Sequence, residues 1–380
     1  MEFLMRKCVI VILLGLFVAM ISSCAPTFKK FRTINNAPDE WSMFRNSLRG
    51  YYQKDVYGSD IRSLAWKGEM KARSYTSPVA TASYVAVGAR DSYMYFFDLE
   101  QGERINAYKF ESPVAQSPMI SNKILYSAAG PDENFVTGIN LINGKPVFKK
   151  RYPDVQAPVV GDQQFLYFGD HAGIFYCIDK YSGTEMWSFK TEGQILNAPA
   201  IYDGVIYFGS LDENLYALDK ESGDLIWSAS PGGALNSAPA VDSIAVYIGS
   251  YDGHIYTLDI SDGSLIWKSE TGAQITSSPV IDDYNVYIGS NDRSMYCLEK
   301  STGRRVWDFP SDGAINSAPL VLEDVVVFGS IDGRMYMLDK NTGALIFSHE
   351  TEDMIRSSPI YFNGKIFVSS LDKHLYCFSR

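Results

Sequence analysis

The residues that could do chemistry are few, and most of them repeat. Asp212, Asp252, Asp292, Asp332 and Asp372 recur at one position of a repeating segment, with Asp91 as an earlier counterpart. A ring of carboxylates suits Ca²⁺, which takes about six to eight oxygen ligands. Each of these Asp follows Gly-Ser or its equivalent in a short turn, however, where an Asp side chain bonds its own backbone. A local turn role is therefore expected. Cys177, Cys297 and Cys377 share another repeat position, each after a Tyr, aligned with Ala217, Thr257 and Met337. Spread over separate repeats, they should lie beyond the roughly 7 Å Cα limit for a disulfide, and they read as packing residues rather than a redox or metal triad. His171, His254, His349 and His374 show no ligand spacing of the H-E-x-x-H kind. His254 and His374 share a turn position and are expected in solvent. No catalytic residue, metal or cofactor is assigned.

The elements that carry these residues follow from one cadence. A Ser/Ala-Pro pair recurs at Pro78, Pro118, Pro158, Pro199, Pro239, Pro279, Pro319 and Pro359, at intervals of 40, 40, 41, 40, 40, 40 and 40 residues. Within one period, Ala200-Ile201-Tyr202, Val205 to Ser210, Leu215 to Asp219 and Leu225-Ile226-Trp227 are short β-rich runs separated by Asp-Gly, Asp-Glu-Asn and Ser-Gly turns. No run is long enough for a helix. Proline opens the first strand, where its missing N–H costs least. Four antiparallel strands per period of about 40 residues is the signature of a propeller blade. The fold expected is an all-β, eight-bladed β-propeller.

One aromatic position repeats with the blades. Trp187, Trp227, Trp267 and Trp307 lie twelve residues before the next proline and four after a glycine, with Phe347 in the same slot and Phe148 replacing Trp in the second blade. Large rings repeated around a wheel are expected to dock blade on blade. The eighth blade has three strands before the chain reaches Arg380, and Trp66 stands twelve residues before Pro78. Ile61 to Lys67 is therefore expected to supply its outermost strand, closing the ring and removing its open edges.

The composition fits a large aromatic-rich β protein: 380 residues, 46% hydrophobic, 14% aromatic and 21% charged. Thirty-four Lys and Arg against 44 Asp and Glu give a net charge of −10, which argues against coating nucleic acid. Arg6 and Lys7 precede an apolar run from Cys8 to Met20, too short to span a bilayer but suited to a secretory signal. The run ends in Ile21-Ser22-Ser23-Cys24, which resembles a bacterial lipoprotein signal with Cys24 as the lipidated residue. By that resemblance 1–23 is a signal peptide and 24–40 a tether. Its sixteen residues after Cys24 span at most about 55 Å. Ala25, not Asp, follows the Cys, so the same resemblance favours an outer-membrane lipoprotein facing the periplasm.

The periods Tyr216 to Trp227 and Tyr336 to Gly343, with the lead-in Trp41-Ser42-Met43-Phe44-Arg45, resemble the PQQ-like (quinoprotein-type) propeller repeat over residues 41–380. That resemblance implies two branches: quinone-dependent dehydrogenases, and a non-enzymatic lipoprotein branch that serves the machinery inserting outer-membrane β-barrels. The dehydrogenases wall their cofactor with adjacent cysteines and long insertions; this sequence has neither. The reading is a membrane-anchored, monomeric propeller scaffold for protein–protein interaction, without a cofactor; a ligand- or polysaccharide-binding surface propeller is the alternative. Two sets of residues are candidates for partner binding. Asn236, Asn316 and Arg356 stand three residues before their prolines, where the chain enters the channel region. The second blade departs from the repeat at Ala129-Gly130-Pro131-Asp132 and carries Lys149-Lys150-Arg151, a basic cluster on an acidic protein.

Overall fold

Each period folds as a four-stranded antiparallel sheet in chain order. In the fourth blade the strands are Ala200–Tyr202, Val205–Gly209, Leu215–Asp219 and Leu225–Ala229. Asp203 and Gly204 join the first pair with φ of 46° and 77°, the left-handed geometry that a two-residue hairpin requires. The second turn is held by Asp212, whose carboxylate accepts the Asn214 N–H at 3.0 Å and the Tyr216 hydroxyl at 2.8 Å. In the third, Asp219 accepts the N–H groups of Glu221 at 2.9 Å and Ser222 at 2.8 Å. The middle strands are buried on both faces by the neighbouring blades, which is why they read as apolar runs rather than alternating ones.

The computed structural model describes residues 42–128 and 135–380. The leader, Cys24, the tether, Trp41 and the segment Ala129-Gly130-Pro131-Asp132 lie outside the described residues. Eight sheets form the ring, and the first strands of neighbouring blades touch around its axis. The eighth sheet takes Ile360–Phe362, Lys365–Ser369 and His374–Ser379 from the C-terminal end and Ser63–Glu69 as its outermost strand. Trp66 stands opposite Cys377, as Trp187 stands opposite Cys177. This strand starts two residues later than Ile61 because Ile61 closes a turn onto the Gly58 carbonyl and is itself buried.

The repeated rings lie where one blade meets the next. Each packs on the turn glycine of the following blade: Trp187 on Gly223, Trp227 on Gly263, Trp267 on Gly303, Trp307 on Gly343 and Trp66 on Gly102. The indole N–H groups donate across the same junctions, to the carbonyls of Lys220, Ile260, Lys300, Lys340 and Leu99 at 2.9–3.2 Å. Phe148 covers Gly183 in the same way without an N–H, and the Tyr152 hydroxyl donates to the Gly183 carbonyl at 3.2 Å instead. Phe347 meets no such glycine, because the eighth blade changes chain segment there; it packs edge-on to Phe378. The first blade carries Asn106 in the slot, opposite Phe96.

The segment leading to the first strand is ordered by the ring itself. Ser42, Leu48, Arg49 and Gly50 accept N–H bonds from Ile120, Ile201, Val241 and Ile281, on the innermost strands of blades two, four, five and six. Tyr52 and Gln53 donate back to Ile281 and Val321, and Gly58 and Ser59 donate to the Asp324 carboxylate. Residues 42–60 thus form a strap across the face where first strands turn into second strands.

Candidate interaction site

The strap decides what the axis of the ring can do. Arg45 projects among the innermost strands and is only 7% exposed. Its guanidinium donates to the Pro279 carbonyl at 2.9 Å, the Pro239 carbonyl at 2.8 Å and the Ala238 carbonyl at 3.5 Å. Burial lowers its pKa to about 9. A void of about 20 Å³ remains beside it, lined by Tyr51, Gln53, Leu320 and Pro359 among others, room for a water and no more.

On the opposite face, the loops between blades meet the second-to-third strand turns. Leu211 donates to the Gln194 carbonyl, and the Glu192 N–H reaches Asp212 at 3.0 Å. Here the candidate residues divide. Asn236 accepts from Asn197 at 2.6 Å and donates to the Tyr251 hydroxyl at 2.5 Å. Asn316 donates to Thr276 at 2.6 Å and Asn291 at 2.7 Å. Both amides are half-buried and tie neighbouring blades together around the channel mouth. Arg356 is exposed and has no hydrogen-bond or ion-pair partner among the described residues, which leaves it available.

Lys149, Lys150 and Arg151 end the outermost strand of the second blade, Lys145–Arg151, of which only Phe148 is buried. Lys149 pairs with Glu111 and lies 4.0 Å from the centre of the Phe135 ring. Lys150 and Arg151 are exposed and make no ion pair with a described residue. This basic edge is some distance around the wheel from Arg356, in the eighth blade, so the two sets are separate surfaces.

The remaining candidates are spent on structure. Each repeated Asp accepts a tyrosine hydroxyl: Asp252 from Tyr256 at 2.6 Å, Asp292 from Tyr296 at 2.7 Å, Asp332 from Tyr336 at 2.8 Å and Asp372 from Tyr376 at 2.6 Å. Burial first, then the adjoining carboxylate, pushes these phenols up, so they remain neutral donors. Cys177, Cys297 and Cys377 are free and buried, and burial raises each thiol to about 12, far from a reactive thiolate. His254 and His374 are not in open solvent as expected: each begins a third strand, and its ring is half-covered by the next Tyr and sits 3.4 or 3.3 Å from an Asp. A cleft of about 520 Å³ between blades five and six is lined by Ile244, Trp267, Tyr284, Lys300, Arg304 and Val306.

Sequence reading missed a second latch between blades. Lys220, Lys300 and Lys340, at the third turn of one blade, pair with Asp162, Asp242 and Asp282 on the blade before it, at 3.1, 3.0 and 3.5 Å. The recurrent Asp-Lys or Glu-Lys after the third strand was the available signal.

Sheets, turns and inter-blade rings together define a β-propeller of the PQQ-like repeat class. The sequence model of one family, described as outer membrane protein assembly factor BamB, matches residues 136–291 and 251–370, and the chain belongs to that family. Among solved structures it is similar to BamB from Moraxella catarrhalis, with a TM-score of 0.72 and 17% identity over 84% of this chain and 98% of that one. The computationally designed Ika8 protein gives a TM-score of 0.76 at 17% identity, covering 84% of this chain and 100% of that one. Quinohemoprotein alcohol dehydrogenase from Comamonas testosteroni gives 0.74 at 12% identity, covering 89% and 80%. At these identities the likeness is one of fold. Comparison with curated proteins gave no match.

The dehydrogenase likeness calls for a test of fit. A quinone bearing several carboxylates needs cationic anchors, an oxygen-ligand site for Ca²⁺ and two walls for its ring. Arg45 occupies the axis beside blades five and six, where it bonds main-chain carbonyls, and no group of three His, Cys, Asp or Glu among the described residues is placed to hold a metal. In the cleft, Lys300 is already paired with Asp242 at 3.0 Å and Arg304 with Glu299 at 3.5 Å. The described residues do not fit the cofactor, and no reaction step is derived through one.

Proposed function

We propose that this chain is a non-catalytic propeller scaffold, anchored through Cys24 to the periplasmic side of an outer membrane, whose partners are proteins of the β-barrel assembly machinery. The family match supports this reading, and so does the way the ring uses its polar groups. The observation that carries it is the axial arginine: Arg45 lies among the innermost strands, where a propeller could hold a small substrate, and is bound there by carbonyls of blades five and six, which favours the outer surfaces for recognition. Among those surfaces, the basic edge of the second blade breaks the symmetry of an acidic wheel. Charge complementarity steers partners and fixes orientation more than it adds raw affinity.

The experiment is crosslinking of the anchored protein in membranes, followed by identification of captured proteins, with Lys149→Glu/Lys150→Glu/Arg151→Glu beside the wild type. Capture of the barrel-assembly pore subunit, weakened at least several-fold by the charge reversal, is the expected result. Equal capture by the variant dismisses the basic edge. Capture of no envelope protein, with saturable glycan binding instead, shifts the reading to the polysaccharide-binding alternative, for which the cleft between blades five and six offers space.

A further inference from the structure

The axial arginine is held in an unusual way. Three main-chain carbonyls, from Ala238, Pro239 and Pro279 in two adjacent blades, take its bonds. No carboxylate of the described residues pairs with it, although the chain is acidic. A cage of neutral acceptors suits a cation with several donors in a fixed fork, and guanidinium is less strongly hydrated than ammonium. The chain also bends to place the group there. Arg45 has a φ of 58°, a left-handed conformation disfavoured for a residue with a Cβ. Opposite it, a Cβ added at Gly50 would stand 2.6 Å from an Arg45 Nη atom, so the strap is bare where the guanidinium needs room. The Phe44 ring lies 5.4 Å from the guanidinium carbon. Backbone strain, a cleared backbone and a carbonyl cage converge on one planar cation.

We propose that the carbonyl cage on the propeller axis is a binding site for a guanidinium group, filled in cis by Arg45 and open to an arginine-bearing ligand when that side chain is absent. The ligand class is an arginine side chain on a peptide. Its selectivity rests on the planar fork of donors, which meets the separate acceptors in blades five and six in one fixed geometry.

The test uses the full chain carrying Arg45→Ala, with L-argininamide as the probe and L-lysinamide as the control. The variant should melt lower than wild type and be restored by a few degrees, saturably, by argininamide alone. Wild type, already filled, should show no shift. Argininamide acting on both proteins alike or on neither, or lysinamide acting equally well, overturns the proposal. Should the variant not fold, the wild-type protein supplies a second measurement by side-chain NMR. One arginine, lost in Arg45→Lys, should show Nη protons with slowed rotation and exchange; free rotation of every guanidinium overturns it.

Discussion

Gly263 illustrates how a single residue serves two constraints in this ring. Its φ is 73°, and a Cβ there would lie 2.7 Å from the Trp227 ring. Gly263→Ala must therefore strain the turn and push the indole off the junction. Positive-φ strain costs of order 1–3 kcal/mol, and overpacking adds a similar amount. We expect a loss of about 2–6 kcal/mol in chemical denaturation, whereas the same change at Gly204, also left-handed but with nothing within 4 Å of its Cβ, should cost only the strain. The Trp and Gly positions were legible in the sequence because they recur with the blade. Arg45 was not, since nothing in its neighbours states that its acceptors stand 193 to 234 residues away. Asn106 escaped for the opposite reason: the eye follows the repeated ring and passes over the blade that lacks it.

At the scale of the element, the turns do more than reverse the chain. Asp162, Asp242 and Asp282 each cap their own first turn and also receive a lysine from the next blade. In the fourth blade the turn is Asp203-Gly204 instead, and the following blade carries Ile260 where the lysine would be. Lys180 holds the same position in the third blade and, with no carboxylate at the first turn of the second, donates to the Ser121 hydroxyl at 2.8 Å instead. Burial alone would raise the pKa of Asp242, but N–H donors from Ile244 and Ala245, together with Lys300, outweigh it and the net shift is downward. A carboxylate lowered in the folded state stabilises fully above its unfolded value near about 4 and loses that contribution as pH falls through the folded value. Asp242→Asn should therefore cost about 1–3 kcal/mol at neutral pH and flatten the decline in stability below about pH 4, as followed by denaturation across pH. The hairpins themselves were readable from Asp-Gly and Ser-Gly spacing. The latch was harder to see: its Asp and Lys both recur with the period, but the two members of each pair stand on different blades, 58 residues apart. The strap was equally hidden: it has no periodicity, and its order comes from main-chain bonds with five different blades.

For the molecule as a whole, closure is the governing event. Eight sheets were countable from the prolines, and the shared last blade from the chain ends, because an unpaired sheet edge has no stable alternative partner. Removing Ile61–Glu69 takes away the outermost strand of the eighth blade and the Trp66 contact with the first. The truncated chain should lose its single cooperative melting transition, measured by calorimetry; an unaltered transition would contradict closure by this strand. Which surface meets a partner was less legible, since the repeat makes most of the wheel alike and only local departures carry information.

The same shared blade also sets a clock. The strand at Ser63–Glu69 is made well before its mate at His374–Ser379. Roughly three hundred residues separate them, which at synthesis rates of about 5–20 residues per second is about fifteen seconds to a minute of waiting. Until that mate arrives, the first strand has no home, and the nascent protein remains unlocked.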